Sequence, residues 1–407
     1  MDNIHILEAL NERQLEAVTA TEGYLRVVAG AGTGKTKALT HRYAYLVKTG
    51  GIQPSNILCV TFTNKAAGEM KRRIRRLVGD GYDTSLITTY HGFCVRVLRP
   101  DMDKLFYPQS FLILDAADQK KILEEIYEEL ELKLDHASFQ KMLKQISKLK
   151  ADTVYVGGFV NPARVFDADS AGNIDDVIAI KYMQRQKKIF GLDFDDLVNF
   201  TFHLFEKCPE VREKWQEQLH YIQVDEFQDC SRREMKLLSI LSARHENLFV
   251  VGDPDQNIYE WRGARMEILV DFDKNHADAQ TVILNQNYRS TPQILAAANS
   301  LIEKNIVRVK KELFTRNAPG ASVIHLHARD DKSESEWIAK EVNAPPAKAG
   351  GFDLQLKLAG SASPIAPPPE GGSIGSISSA SSSTKGKEEM LKLPAKAGGF
   401  DPPKVRQ

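Results

Sequence analysis

The sequence predicts an α/β fold in which a parallel sheet is interrupted by an inserted helical domain. Short apolar segments alternate with longer segments whose apolar residues recur every three to four positions, which is typical of parallel strands joined by helices. A second observation is the unusual length of the chain between two predicted strands. Asp225, at the end of a later strand, follows Thr36 by 189 residues. A few strand–helix–strand units of about 30 residues each do not fill that interval, so the surplus predicts the insertion.

The first predicted strand leads through a glycine-rich loop into a helix, within YLRVVAGAGTGKTKALTHR at residues 24–42. Glycine accepts positive φ, so this loop can turn its N–H groups inward around an anion, and the helix adds its positive dipole end. Lys35 supplies a charge for β- and γ-phosphates, and the Thr36 hydroxyl can hold Mg²⁺. A tight turn with an incidental lysine is the alternative. The predicted phosphate-binding residues are Ala29, Gly30, Ala31, Gly32, Thr33, Gly34, Lys35 and Thr36, with Ala29 where the pattern has glycine.

Composition limits the classes of protein to consider. The chain has 407 residues, enough for two or three domains, and Lys+Arg and Asp+Glu balance at 54 each, so any nucleic-acid surface is local. The four cysteines have no CxxC spacing, which argues against a zinc site or a disulfide framework and favours a reducing cytoplasm. No signal sequence or membrane-spanning apolar run is present in the sequence.

A short helix is predicted before the first strand. Asn11 is a suitable N-cap for a helix that reaches Val18. Gln14 lies on this helix, and its amide can make paired hydrogen bonds to an adenine edge. A solvated surface glutamine is the alternative.

The next two strands are predicted at residues 56–63 and 86–89, and both end in aromatic and small polar residues. Open α/β sheets bind ligands at such strand ends. Core packing is the alternative for each of these residues. The candidate residues here are Phe62, Thr63 and Asn64 after one strand and His91 after the other.

Residues 115–150 and 173–219 read as helices, and they form the predicted inserted domain at 115–219. The sheet resumes at residues 221–226, YIQVDE, an apolar strand that ends in two carboxylates. Burying two acids is costly unless a cation is present, and Mg²⁺ on a triphosphate is such a cation. We therefore assign Asp225 to Mg²⁺ and Glu226 to the attacking water, with a helix N-cap pair as the alternative.

Another buried strand, at residues 248–252, opens onto DPDQNIYEWRGA. Gln256 at this strand end can reach the γ-phosphate or the water. Tyr259, Trp261 and Arg262 form an aromatic and guanidinium set of the kind that stacks bases and holds phosphates, with core packing the alternative for Trp261.

The last predicted elements are strands at residues 281–284 and 322–327 and helices from Pro292 and over 333–342. Between them, Arg289 is a positive group that a second lobe would bring to the γ-phosphate, as an arginine finger does.

Seven segments now stand in a fixed order along the chain: LNERQ, AGAGTGKT, TFTNKAAGEM, TTYHGFC, VDEFQD, VGDPDQNIYEWRGA and LNQNYRST. Together they resemble the UvrD/Rep/PcrA family of superfamily 1A DNA helicases, over residues 1 to about 343. The resemblance implies two RecA-like lobes with ATP and Mg²⁺ between them. It also implies 3′ to 5′ translocation on single-stranded DNA and separation of 3′-tailed duplexes.

The resemblance also implies roles for individual residues. Gln14 would read adenine, and Tyr288 and Arg289 would close on the nucleotide from the second lobe. Lys37 stands where the family usually has arginine, so a guanidinium near the base is missing. The implied DNA-contacting residues are Phe62, Thr63, Asn64, His91, Tyr259, Trp261 and Arg262.

The resulting domain prediction has four parts. The first lobe comprises 1–114 and 220–279, the inserted helical domain 115–219, and the start of an incomplete second lobe 280–343. Residues 344–407 contain 27 Gly, Pro and Ser among 64 residues and a repeated octapeptide, PAKAGGFD, so a disordered tail is expected. An alternative function is a nucleotide-dependent DNA-binding or regulatory module that needs a partner protein chain to complete the second lobe.

Overall fold

The structure is a computed structural model of the chain. It describes residues 4–133, 135–151, 153–161, 166–168, 171–305 and 308–343. The chain divides into two units, Met1–Ala344 and Pro345–Gln407. The second unit, and with it the predicted tail at 344–407, lies outside the described residues.

The described residues form short strands and helices in alternation. The strands are β1 (Tyr24–Ala29), β2 (Ile57–Thr61), β3 (Ile87–Thr89), β4 (Leu112–Ile113), β5 (Gly191–Leu192), β6 (Tyr221–Val224), β7 (Leu248–Gly252), β8 (Gln280–Leu284), β9 (Gln286–Asn287) and β10 (Phe314–Thr315). The helices are α1 (Ile4–Glu8), α2 (Glu12–Thr19), α3 (Lys35–Lys48), α4 (Asn64–Val78), α5 (Tyr90–Asp101), α6 (Ala116–Glu129), α7 (His136–Leu149), α8 (Val156–Val160), α9 (Ile174–Ile189), α10 (Phe194–Lys207), α11 (Pro209–Gln218), α12 (Arg232–Ser242), α13 (Met266–Val270), α14 (Phe272–Asn275), α15 (Pro292–Ile302) and α16 (Asp331–Asn343).

Six strands form one parallel sheet in the order β3-β2-β6-β7-β1-β8. Alternate residues of a strand point to opposite faces, and in β7 Leu248 and Val250 enter one core while Phe249 and Val251 enter the other. The first core continues into the inserted helices, and the second is covered by α3 and α4. A sheet buried on both faces explains why its strands are mostly apolar rather than alternating, and the predicted α/β class is confirmed.

The edge strand β8 differs from the prediction. We placed residues 280–343 in a second lobe, but residues 280–284 pair with β1 along its whole length, from Leu25 opposite Gln280 to Ala29 opposite Leu284. The edge of β1 would otherwise carry unpaired backbone groups, and β8 supplies their partners. The predicted start of the second lobe at residue 280 therefore coincides with the first residue of a strand that pairs with β1.

The predicted strand at 322–327 is also wrong, because these residues are not in a strand. Val323, Ile324 and Leu326 are 57%, 51% and 40% exposed. Apolar β-branched residues alone do not make a strand, since a strand also needs a paired neighbour, and no described strand pairs with this segment. The following helix is present as α16.

The inserted segment is helical, as its periodicity predicts. Asp115 and Asp193 form capping boxes at the starts of α6 and α10. Two short strands pair in parallel, β4 just before the segment and β5 within it. Helix α10 packs on α5 of the main sheet domain, so the insertion shares its core.

A buried lysine fixes the packing of the inserted helices. The Lys150 ammonium donates to Asp193 at 2.7 Å, to Asp196 at 2.8 Å and to Gln186 at 2.8 Å. The Lys150 side chain is fully buried. Burial and the Asp193 charge raise the pKa of Asp196 to about 7, while Lys150 acts in the opposite direction. Removing Lys150 would leave two acids without their cation.

We expect Lys150→Ala to lower the free energy of unfolding by about 3–5 kcal/mol, the usual cost of removing one partner of a buried ion pair. Lys148→Ala is the matched control, because Lys148 is an exposed lysine in the last turn of α7, two residues before Lys150. Thermal unfolding followed by circular dichroism measures both. Equal stability of the two variants would contradict a structural role for the network.

Candidate functional site

The glycine-rich loop between β1 and α3 has the geometry of an anion cradle. Gly32 and Gly34 adopt φ of 70° and 88°, in the left-handed region that glycine favours. Gly34 is the N-cap of α3 and provides no side-chain cap, so the first N–H groups of the helix keep their capacity for a ligand. Thr33 closes the loop by donating its hydroxyl to the Gly30 carbonyl at 2.9 Å.

The loop lysine and the acid pair meet in space. Lys35 Nζ lies 3.1 Å from Glu226 Oε2. The strands that lead to them, β1 and β6, are both parallel neighbours of β7, so their carboxyl ends lie at the same edge of the sheet. A lysine that was predicted to hold phosphates therefore lies beside a carboxylate that was predicted to act on the attacking water, although 191 residues separate them in sequence.

Asp225 is a buried acid beside a second carboxylate. It is only 5% exposed, and burial together with the Glu226 charge raises its pKa to about 7, while Lys35 opposes that shift. Glu226 is in the left-handed region at φ 50°, and its N–H donates to Asp225 Oδ1 at 3.1 Å. Oxygen ligands are what Mg²⁺ prefers, so the buried Asp225 carboxylate, next to the more exposed Glu226, is suited to a divalent ion.

Gln228 connects the acid pair to the loop that carries Gln256. Its Nε2 donates to Glu226 Oε2 at 2.9 Å, and its Oε1 accepts from the Asp253 N–H at 2.9 Å. Gln256 in turn donates its amide to Asp253 Oδ2. Two bridging residues, Gln228 and Asp253, therefore connect Gln256 to Glu226. Sequence reasoning missed Gln228, although it lies within the VDEFQD segment.

The opposite side of the loop forms a second part of the site. A cavity of about 420 Å³ is lined by Gln14, Gly32, Gly34, Lys37, Tyr288 and Arg289. The nucleotide-contacting residues implied by the resemblance thus lie together. Asn11, which we expected only as a helix cap, also donates its amide to the Tyr288 hydroxyl at 2.6 Å.

Two residues that line this cavity, Gln14 and Lys37, already make hydrogen bonds within the chain. Gln14 is 1% exposed, so the solvated alternative is wrong. Its Nε2 donates to the Thr33 carbonyl at 2.9 Å and its Oε1 accepts from the Asn11 N–H at 3.2 Å. The Lys37 ammonium donates to the Ala9 carbonyl. Reading a base with Gln14 would require new partners for its amide, and Lys37 is turned toward backbone.

Arg289 lies next to the phosphate loop, on a segment anchored by Asn287. Asn287 donates to the Ala31 carbonyl at 2.7 Å and accepts from the N–H groups of Arg289 and Ser290 at 2.8 and 2.7 Å. A Cβ on Gly32 would lie 2.7 Å from the Arg289 Cβ. Arg289 lines the cavity near Gly32, and the acid pair does not line it.

A wider groove of about 670 Å³ lies at the ends of β2 and β3. Four of the predicted DNA residues line it: Phe62, Thr63, Asn64 and His91. Thr63 also caps α4 by accepting from the Ala66 N–H at 3.1 Å. Burial lowers the pKa of His91, with Arg233 adding to the shift and Asp195 opposing it. His91 therefore offers an aromatic edge rather than a charge, and it packs edge-on against Phe194 at 5.0 Å.

The remaining predicted DNA residues belong to the loop after β7. Tyr259 stacks on Phe62 with ring centroids 5.2 Å apart, so this loop continues the groove. Trp261 is 74% exposed, which excludes core packing for it. The Arg262 side chain lies outside the described residues. Sequence reasoning missed the basic residues that line the groove, Arg232, Arg233 and Arg265.

Family comparisons agree with this geometry. The UvrD/REP helicase N-terminal domain matches residues 10–277, and the UvrD-like helicase C-terminal domain matches residues 282–352. The second match extends past residue 344, where we placed the start of the tail. Among the described residues, no helix is both long and apolar enough to span a membrane.

Curated relatives are similar over most of this chain. ATP-dependent DNA helicase PcrA of Bacillus subtilis strain 168 is 40% identical over 341 residues, which is 83% of this chain and 45% of that protein. The protein of the same name from Staphylococcus aureus strain Mu50 is 39% identical over 340 residues, 83% of this chain and 46% of the relative. The chain thus spans about half the length of the curated relatives it matches. On the motif order, the site geometry and the domain match over residues 10–277, this chain belongs to the UvrD/REP helicase family.

Proposed function

We propose that this chain binds ATP with Mg²⁺, hydrolyses it in response to single-stranded DNA, and supplies the motor part of a 3′ to 5′ DNA helicase. The observation that carries the proposal is the 3.1 Å contact between Lys35 and Glu226. It supports the proposal because a lysine suited to phosphates and a candidate general base lie together at one edge of the sheet. The relatives that support it are named ATP-dependent DNA helicases.

On the phosphate side, this chain provides binding and proton transfer. The loop N–H groups and Lys35 bind the β- and γ-phosphates, and Thr36 and Asp225 would hold the Mg²⁺. Bound Mg²⁺ neutralises charge on the phosphate oxygens. Glu226 orients the attacking water and takes its proton, because it is the more exposed acid of the pair, with 37% of its side chain accessible. Gln256 contacts the γ-phosphate.

On the base side, the proposal places adenine in the cavity lined by Gln14, Lys37 and Tyr288. Arg289 adds positive charge as the second lobe closes. We propose a first lobe of 1–114 and 220–284 around the inserted domain at 115–219, followed by the beginning of a second lobe to residue 343. A cytoplasmic location is proposed from the four buried, free cysteines.

The DNA strand is proposed to lie along the groove and over the loop of Tyr259 and Trp261. An exposed indole next to a stacked aromatic pair is a platform on which a base can stack. The arginines at the groove wall can contact backbone phosphates. The substrate class is therefore single-stranded DNA or a 3′-tailed duplex.

Turnover by the purified chain tests the proposal. We expect ATP hydrolysis to rise when single-stranded DNA is added, and a chain with no hydrolysis in either condition would contradict the proposal. Unwinding of a 3′-tailed duplex, compared with a 5′-tailed one, tests the direction.

A second candidate is a nucleotide-dependent DNA-binding module that works with a partner chain. Exposed apolar side chains favour it, because Val323, Ile324 and Val342 are 57%, 51% and 76% exposed and a partner could cover them. DNA-stimulated turnover without unwinding would favour this candidate.

Trp261→Ala is expected to weaken single-stranded DNA binding by about 1–3 kcal/mol, the usual contribution of one stacked base. Fluorescence anisotropy with a labelled oligonucleotide measures the change. Trp337→Ala is the control, because Trp337 lies on α16 and does not line the groove. If both variants bind as the unmodified chain does, Trp261 does not stack on DNA.

A further inference from the structure

Lys311 is a buried lysine held between two aspartates. Its side chain is 2% exposed, its Nζ lies 2.7 Å from Asp253 Oδ1, and it also donates to Asp255 Oδ2. The side chains of Asp253 and Asp255 are 3% and 0% exposed. We call these three residues the lysine–diaspartate cluster. Charges this far from water depend on one another, so losing one strongly affects the rest.

The cluster joins distant segments of the chain at the nucleotide site. Asp253 and Asp255 follow β7, whereas Lys311 lies shortly before β10. Two residues after Lys311, Leu313 packs against the phosphate loop so closely that a Cβ on Gly30 would lie 2.6 Å from its Cδ2. One short segment therefore contacts both the phosphate loop and the loop that carries Gln256.

Asp253 is shared between Lys311 and Gln256. Lys311 binds Oδ1 of this carboxylate, and the Gln256 amide donates to Oδ2. A hydrogen bond to an anionic acceptor is stronger than one to a neutral acceptor, particularly at a buried site. By balancing the Asp253 charge, Lys311 weakens the bond that keeps Gln256 away from a γ-phosphate.

We propose that Lys311 is a positioning residue for Gln256, which frees the Gln256 amide to leave Asp253 and contact the γ-phosphate. This inference rests on the nucleotide site proposed above. Without Lys311, the amide stays on the uncompensated carboxylate. The site then loses part of its preference for a nucleoside triphosphate over a diphosphate.

The test compares the Kd for ADP with the Kd for ATPγS, each measured by equilibrium titration. In Lys311→Met we expect the Kd for ADP divided by the Kd for ATPγS to fall about tenfold or more, which is the contribution of one hydrogen bond to a charged group. The Kd for ADP itself should change less than about twofold. In ATP turnover, kcat should fall more than KM rises. Lys310→Met is the matched control, because Lys310 is the adjacent exposed lysine.

A second variant distinguishes loss of Gln256 positioning from misfolding. Lys311→Met combined with Asp255→Asn keeps the net charge of the cluster and still leaves Asp253 uncompensated, so the same fall in the ratio is expected. A ratio equal to that of Lys310→Met in both variants would overturn the proposal. A parallel loss of affinity for both nucleotides leaves the ratio unchanged and has the same consequence. By contrast, failure of the unmodified chain to bind either nucleotide would overturn the proposed function itself.

Discussion

Replacing Lys35 with alanine is expected to abolish DNA-stimulated ATP hydrolysis while the fold is retained. Lys35 opens α3, its side chain is 10% exposed, and its ammonium lies 3.1 Å from Glu226. A triphosphate in the loop would take over this ammonium, since its oxygens carry more charge than one carboxylate. Loss of one preorganised charge donor costs on the order of 100- to 1,000-fold in turnover. Steady-state hydrolysis with and without single-stranded DNA measures the effect.

Lys48→Ala is the control for that experiment, because Lys48 is on the same helix, at its far end. Circular dichroism of Lys35→Ala should match the unmodified chain, since Lys35 belongs to neither hydrophobic core. Turnover by Lys35→Ala at the level of Lys48→Ala would remove the glycine-rich loop from the mechanism.

Much of the fold could be predicted because its signals are local. The apolar runs of β1, β2, β6 and β7 are buried on both faces, and that environment selects apolar residues at most positions. The insertion could be predicted because the interval between Thr36 and Asp225 is longer than a few strand–helix units need. The phosphate loop was predictable because positive φ at Gly32 and Gly34 requires glycine.

The remaining features depend on pairing between distant residues. Whether residues 280–284 join the first sheet is decided by the free edge of β1, about 255 residues earlier in the chain. The same holds for residues 322–327, whose apolar pattern suits a strand but which have no paired neighbour among the described residues. Propensity describes a segment alone, whereas a strand is a property of two segments.

The candidate site residues also differ in whether their sequence signal is local or depends on distant partners. Glu226 and Lys35 could be predicted because one follows an apolar strand and the other opens the helix after a glycine-rich loop, both in recognisable patterns. Gln228 and Asn287 lie inside quoted segments, and only their hydrogen bonds to Asp253 and Ala31 show what they do. Lys311 gives no local signal, since its partners precede it by 56 and 58 residues.

Glu226→Gln is expected to reduce the rate of ATP hydrolysis by about 100- to 10,000-fold, the range that one positioned general base contributes. Glutamine has nearly the same shape, and its carbonyl oxygen can still accept from Gln228, which donates to Glu226 at 2.9 Å. It cannot take a proton from water, so the chemical step should be slow while nucleotide binding stays near normal. Single-turnover hydrolysis and equilibrium binding of ATP measure the two effects separately.

Glu226→Gln should also change the ionisation of the neighbouring Asp225. Removing a charge next to Asp225 should ease its ionisation, because the Glu226 charge is one cause of its raised pKa. Mg²⁺ binding would then be kept or improved in Glu226→Gln, and ATP should accumulate on the protein unhydrolysed. Glu267→Gln, at an exposed glutamate of α13, controls for loss of an acid elsewhere. A normal hydrolysis rate in Glu226→Gln would assign the proton transfer to another group, and weak ATP binding instead would make Glu226 a binding residue rather than the base.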